Sequence, residues 1–310
     1  MGQHYLEGEN TPFGRFFLPG PTEVRPEVLE AQTRAMIGHR GSLIQEFVSE
    51  LQQGLKKVFV TDRPVFISSS SASGLMEAAV RNGASGKVLS LVNGAFSHRF
   101  GDIARACALE VDEVAVPWGE AHDPAVVASA LAAGAYHAVT VVHSETSTGV
   151  LNDLPAISSV VAQHADTLLL VDSVTGCGGA ELLTDTWALD FVLTGSQKAL
   201  ALPPGLSFAV ASEAMMERSA SITGKGQYFD LVAFAKNLEK FQTPTTPALS
   251  TMYALQVQLA RIADVEADRP FLEAQFIASW SSQKSGVIAE ATELGIDVPA
   301  VLKTNGFVTT

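Results

Sequence analysis

The chain has 310 residues, 47% of them hydrophobic and 17% charged, with a formal net charge of −13. That length can bury a large core, and the acidic balance excludes gripping a nucleic-acid backbone through a Lys/Arg patch. Two cysteines, Cys107 and Cys177, exclude a disulfide framework and share no ligand spacing with histidine, which predicts no metal site and a reduced, cytoplasmic protein.

The opening stretch MGQHYLEGENTPFGRFF carries acids and no apolar core, so it predicts no secretory leader, and no later apolar run is long enough to span a bilayer. FFLPGPTEV (Phe16–Val24) is a proline-pinned extended segment, and Pro26 stands at the start of a helix predicted over Glu27–Ala35. In SLIQEFVSELQQGLKKVF, Ile44, Phe47, Val48, Leu51, Leu55 and Val58 recur at helical spacing. Apolar runs then predict strands at Val65–Ser68, Lys87–Val92, Tyr136–His143, the TLLLVD ending at Asp172, and the FVLTGS beginning at Phe191. Between them LMEAAVRNG, FSHRFGDIARACA and LPAISSVVAQHA read as helices. This alternation predicts an α/β fold with a mainly parallel central sheet flanked by helices. After Pro247 the stretch STMYALQVQLARIADVEA reads as a helix, and GIDVPAVLKTNGFVTT as the turn, helix and strand of a small C-terminal α+β lobe. The expected division is an N-terminal arm over 1–15, a large domain over 16–250 and a shortened lobe over 251–310.

Ligands of open parallel sheets bind beyond the carboxyl ends of the strands, and four features fall there. SSSSASG sets Ser71, Ala72 and Ser73 at a helix start, where free amides and the helix dipole suit a phosphate; the Gly-rich spacing and lysine of a P-loop are absent. Asp172 closes an apolar run, an expensive place for a carboxylate unless a cation meets it. Lys198 lies one crossover further on, at the same edge; an amine in an apolar pocket becomes a nucleophile toward aldehydes. Phe96 follows a strand end and can lie flat on a planar ring. A phosphate cradle, an amine, an acid and an aromatic face together meet the needs of pyridoxal 5′-phosphate.

The stretches FLPGPTEVRPEVLEAQTRAMIGHR, SASGLMEAAVRN, VNGAFSHRF, VVHSETSTGVLNDL, LLLVDSVTGCGG, LTGSQKALALPPG and FQTPTTPALSTMYAL occur in that order over roughly Phe16–Leu255. Together they resemble the class V, fold type I pyridoxal-phosphate aminotransferases, the alanine/serine–glyoxylate and phosphoserine group. The resemblance implies that Lys198 is the Schiff-base lysine and Asp172 the partner of the pyridine nitrogen. It also implies that Phe96 stacks on the ring, that Ser71, Ala72, Ser73 and Gln197 hold the phosphate, and that Thr146 sits beside the ring oxygen. Thr245 and Gln242 match residues supplied by the neighbouring subunit, which implies a homodimer with active sites at the interface. Gly20, within Pro19-Gly20-Pro21, matches the segment lining the substrate mouth, and the pair His39-Arg40 resembles the HR that phosphoserine aminotransferases use near the substrate phosphate.

The implied function is ping-pong transamination from a serine- or alanine-type donor to a 2-oxo acid such as glyoxylate or pyruvate. The alternatives are a phosphoserine aminotransferase, other chemistry of the same cofactor such as a lyase or desulfurase, and a shortened relative that binds cofactor without turnover. The family's carboxylate-clamping arginine, in an RIGHMG-like motif, has no counterpart in the sequence; Arg15, Arg40 and Arg99 are the stand-ins.

Overall fold

The computed structural model describes residues 19–267. Helices α1 (Pro26–Ala31) and α2 (Ser42–Phe59) lead into strand β1 (Val65–Ser68). There follow α3 (Ala72–Gly83), β2 (Val88–Val92), α4 (Ala95–Ala106), β3 (Val111–Ala115), α5 (Pro124–Ala133) and β4 (Ala138–Val142). A two-stranded ribbon, β5 (Ser144–Glu145) and β6 (Val150–Leu151), precedes α6 (Leu154–Val161), β7 (Leu168–Asp172), β8 (Phe191–Gly195) and β9 (Ser207–Ala211). The described chain ends with α7 (Glu213–Ser221), α8 (Leu231–Leu238) and α9 (Leu249–Ala267).

The main sheet has the order β1-β9-β8-β7-β4-β2-β3. Strands β3, β2, β4, β7 and β8 run parallel, while β9 is antiparallel to both β8 and β1. The expected mainly parallel sheet therefore carries one reversed strand. Too few residues separate β8 from β9 to hold a crossover helix, so the chain turns back beside itself. The helix expected over Glu27–Ala35 stops at Ala31, with Gln32, Thr33 and Arg34 continuing only as turns.

Alternate strand residues face opposite layers. Leu89, Leu91, Val139, Val141, Leu169, Val171 and Val192 join the cluster beneath α2, α6 and α9. Val88, Ala138, Leu168, Leu170, Phe191 and Leu193 join the cluster beneath α3, α4 and α7. Both faces are thus covered, which fits the near-continuous apolar strands. No helix among the described residues is long and apolar enough to cross a membrane. The boundary expected at 250/251 falls in the first turn of α9, and the 1–15 arm and most of the 251–310 lobe lie outside the described residues.

The connection after β2 leads outward to β3, and the one after β4 leads the other way to β7. The carboxyl ends of β2 and β4 therefore flank a topological switch point, the crevice where such sheets bind ligands.

Candidate active site

Lys198 lies three residues past the end of β8 and is 8% exposed. Its Nζ donates to Pro19 O at 2.8 Å. Burial lowers its pKa from the ordinary lysine value, and Asp172 pulls the other way. Thr22 anchors the backbone here: its N–H donates to Gln197 O at 3.0 Å and its Oγ1 to Lys198 O at 2.9 Å. Gly20 passes so close that a Cβ would stand 2.6 Å from Lys198 Cδ, so only glycine admits the extended lysine tail.

Asp172 ends β7, the hydrogen-bonded neighbour of β8, and pairs with Leu193 in register. It is 2% exposed, and Oδ1 accepts one bond, from Val174 N–H at 2.8 Å. Burial raises its pKa to about 7; the Val174 bond opposes this, Glu145 adds to it, and Lys198 and Arg99 oppose it. Such a carboxyl is poised for a cationic partner.

Phe96 occupies the first turn of α4, beyond β2. Lys198 Nζ stands 6.0 Å from its ring centroid and Arg99 Cζ 5.0 Å from it. Thr146 follows β5 and hydrogen-bonds Thr175, which lies just past β7. Ser71 precedes α3 in extended conformation and makes no side-chain capping bond, leaving Ala72 and Ser73 to open the helix. Gln197 folds back over Gly195, where a Cβ would meet its Oε1 at 2.6 Å.

The other sequence candidates lie on the 39–40 and 242–245 segments. Thr245 is exposed and lines a small pocket with Ser68, Ser69 and Thr243, and Gln242 N–H donates to Asn237 O. Arg40 donates to Thr243 O at 3.1 Å, to Pro244 O at 3.3 Å and to His39 O at 2.9 Å, so the His39-Arg40 pair braces that loop. Arg15 lies outside the described residues.

Residues not singled out from sequence also belong here. Glu145 is fully buried and accepts from Phe96 N–H, Ser97 N–H, Ser97 Oγ, Ser147 N–H and Ser147 Oγ. His143, at the end of β4, bonds Ser173 through Nδ1, and burial lowers its pKa to about 4. An acid closing an apolar run is the signal that singled out Asp172; Glu145 shows only a diluted form of it, with His143 and Ser144 between it and the run ending at Val142.

A family model described as Aminotransferase class-V matches residues 26–269. An uncharacterized aminotransferase of Methanocaldococcus jannaschii is 40% identical over 78% of this chain and 64% of its own. A protein of a Synechococcus strain named as a soluble hydrogenase small subunit is 36% identical, with the same coverage. The chain thus spans under two thirds of the length of either relative. An L-aspartate–glyoxylate aminotransferase of Paracoccus denitrificans is 33% identical over 92% of this chain and 72% of its own. The crystal structure of an alanine–glyoxylate aminotransferase from Nostoc sp. superposes with a TM-score of 0.75 at 30% identity, covering 79% of this chain and 67% of that one.

Proposed function

The chain belongs to the class-V aminotransferases, and from that membership we propose that it transfers amino groups with pyridoxal 5′-phosphate, from a serine- or alanine-type donor to a 2-oxo acid such as glyoxylate. One observation carries the proposal: a buried carboxyl, Asp172, ends β7 and a buried amine, Lys198, stands just past the end of the adjacent β8, with the Phe96 ring 6.0 Å from the amine. The named glyoxylate relatives, one for aspartate and one for alanine, support glyoxylate as acceptor and leave the donor to pocket detail.

The residues present fit the cofactor. The cleft glycine at 20 keeps space for the lysine tail, Asp172 has spare acceptor capacity, and the start of α3 offers amides without a capping side chain. When bound, pyridoxal phosphate supplies an aldehyde for amine exchange and a pyridinium ring that takes up an electron pair.

This chain's residues do the rest. Burial keeps more of the Lys198 amine neutral, so Nζ could act as a nucleophile, take a proton from the substrate Cα as base and deliver it as acid to the carbon of the cofactor's aldehyde group. Asp172 would hold the ring nitrogen by accepting its hydrogen bond, and a cation there would draw the raised pKa of Asp172 down. Phe96 would cover one ring face, and Thr146 would offer its hydroxyl to the ring oxygen. The amides of Ala72 and Ser73, with Gln197, hold the phosphate at the positive end of α3. Thr245 and Gln242 would complete the site of a second copy in a homodimer.

The test is the visible spectrum of protein purified with the cofactor, beside Lys198→Ala, with serine, alanine, aspartate and phosphoserine added separately. A lysine-dependent band that one donor bleaches, with restoration by glyoxylate, is expected. A folded protein with no such band overturns the reading.

A further inference from the structure

Glu145 is a carboxylate with no solvent exposure and no ion pair among the described residues. A buried anion is tolerated only where hydrogen bonds replace its hydration. Here five do. Oε1 accepts from Phe96 N–H at 3.3 Å, Ser147 N–H at 3.1 Å and Ser147 Oγ at 2.7 Å. Oε2 accepts from Ser97 N–H at 2.8 Å and Ser97 Oγ at 3.0 Å. The remaining amide of that turn, Ala95 N–H, donates to Ser147 Oγ at 2.9 Å. Gly94 leaves the room: a Cβ there would stand 2.4 Å from Glu145 Cγ.

An ordinary N-cap would satisfy such amides from within the helix's own lead-in. Glu145 instead comes from the β5 strand beyond β4, on the opposite side of the switch-point crevice from α4. Its carboxylate ties the two walls together. One wall carries Phe96, whose own N–H the carboxylate grips; the other carries Thr146, its chain neighbour. We infer that Glu145 is a positioning residue, whose carboxylate fixes the Phe96 ring and the Thr146 wall at the spacing that a planar cofactor ring needs. The inference rests on the pyridoxal-phosphate reading of this site.

The experiment measures cofactor affinity by titration, together with the induced circular dichroism of the bound chromophore, for wild type, Glu145→Gln, Phe96→Ala and the double variant. Glutamine keeps the shape but turns one acceptor oxygen into a donor facing N–H groups. Glu145→Gln is expected to weaken cofactor binding about tenfold and to diminish the induced dichroism per bound cofactor. Because Glu145 acts mainly through Phe96, whose amide it grips, and on Thr146 only as a chain neighbour, the substitution should cost under about threefold in the Phe96→Ala background. A purely structural role would lower the melting temperature while leaving affinity and dichroism as they are, and that result overturns the inference. Equal losses in both backgrounds overturn it too. If Glu145→Gln does not fold, Ser147→Ala, which deletes one carboxylate bond and the Ala95 bond, decides: a two- to fivefold weaker affinity supports the inference and an unchanged one overturns it. Wild-type protein that binds no cofactor would overturn the functional reading itself, whereas wild-type binding with unaffected variants overturns only the role of Glu145.

Discussion

Two helices begin at the same edge of the sheet, and their first turns are treated in opposite ways. At α4, Ala95, Phe96 and Ser97 all donate to side chains of the 145–147 segment, and Ser97 Oγ accepts from Asn93 and Gly94 N–H. At α3, the residue in the capping position, Ser71, makes no such bond. Every helix start leaves amides to satisfy and a positive partial charge. The chain supplies its own anion to α4 and withholds one from α3. A closed end holds an aromatic ring in place; an open end is what a phosphate can use.

The most damaging change would close the open end. Ser73→Asp puts a carboxylate in the first turn of α3, where the dipole stabilises it by roughly 0.3–1 kcal/mol. The same charge repels a phosphate, so cofactor affinity should fall about a hundredfold or more while the melting temperature of the cofactor-free protein holds or rises. Titration and thermal melts on one preparation check both halves; cofactor binding at wild-type strength would show that α3 is not the cradle.

Asp172→Asn acts on turnover rather than on cofactor affinity. The two buried acids differ as the two helix ends do: Glu145 has all five of its partners within the chain, whereas Asp172 has a single backbone N–H. Asparagine keeps the shape and removes the charge that, on the proposed function, would hold the ring nitrogen protonated. Turnover should drop about 10²–10⁴-fold with the protein still folded. A kcat within threefold of wild type would break the contrast between the acids.

The contrast also explains what the sequence discloses. Helix α2 was legible to the residue because its apolar stripe is a local, periodic signal. Lys198 and Asp172 were legible because a charge ending an apolar run is anomalous in place. Strand β3 was not: VDEVA is half-exposed on the sheet's edge, and its Asp112 and Glu113 hide it among loop residues. The role of Glu145 was hidden for another reason, since it grips amides 48 and 49 residues away in the chain. Open and closed helix ends look alike in one dimension.

A smaller effect comes from Gly94→Ala. Gly94 has an extended φ of 172°, so the backbone tolerates alanine. The new Cβ would displace Glu145 Cγ from 2.4 Å and loosen α4's closure, costing about 1–3 kcal/mol in denaturant titration.

The smallest effect at neutral pH concerns His122, which backs the closed end. Its N–H donates to Asn152 Oδ1, which also accepts from Asn93 Nδ2 just ahead of α4. Both ring nitrogens are buried without a partner among the described residues, and burial lowers the pKa from 6.5 to about 4. His122→Leu therefore removes unpaired polar atoms, and its stability at pH 7.5 should stay within about 1 kcal/mol of wild type. The sign reverses the comparison in acid. Between pH 6.5 and 4 the unfolded chain binds a proton at this histidine and the folded chain does not, so the wild type loses stability as pH falls. His143 adds a second proton in the same sense, while the raised carboxyls of Asp172 and Asp190 act in the opposite one. Those three groups are common to both proteins and cancel in the difference. The variant should thus gain on wild type by about 1.4 kcal/mol per pH unit through that window, read from urea titrations at a series of pH values. A difference that stays flat with pH would mean that His122 accepts its proton inside the folded protein as readily as outside it.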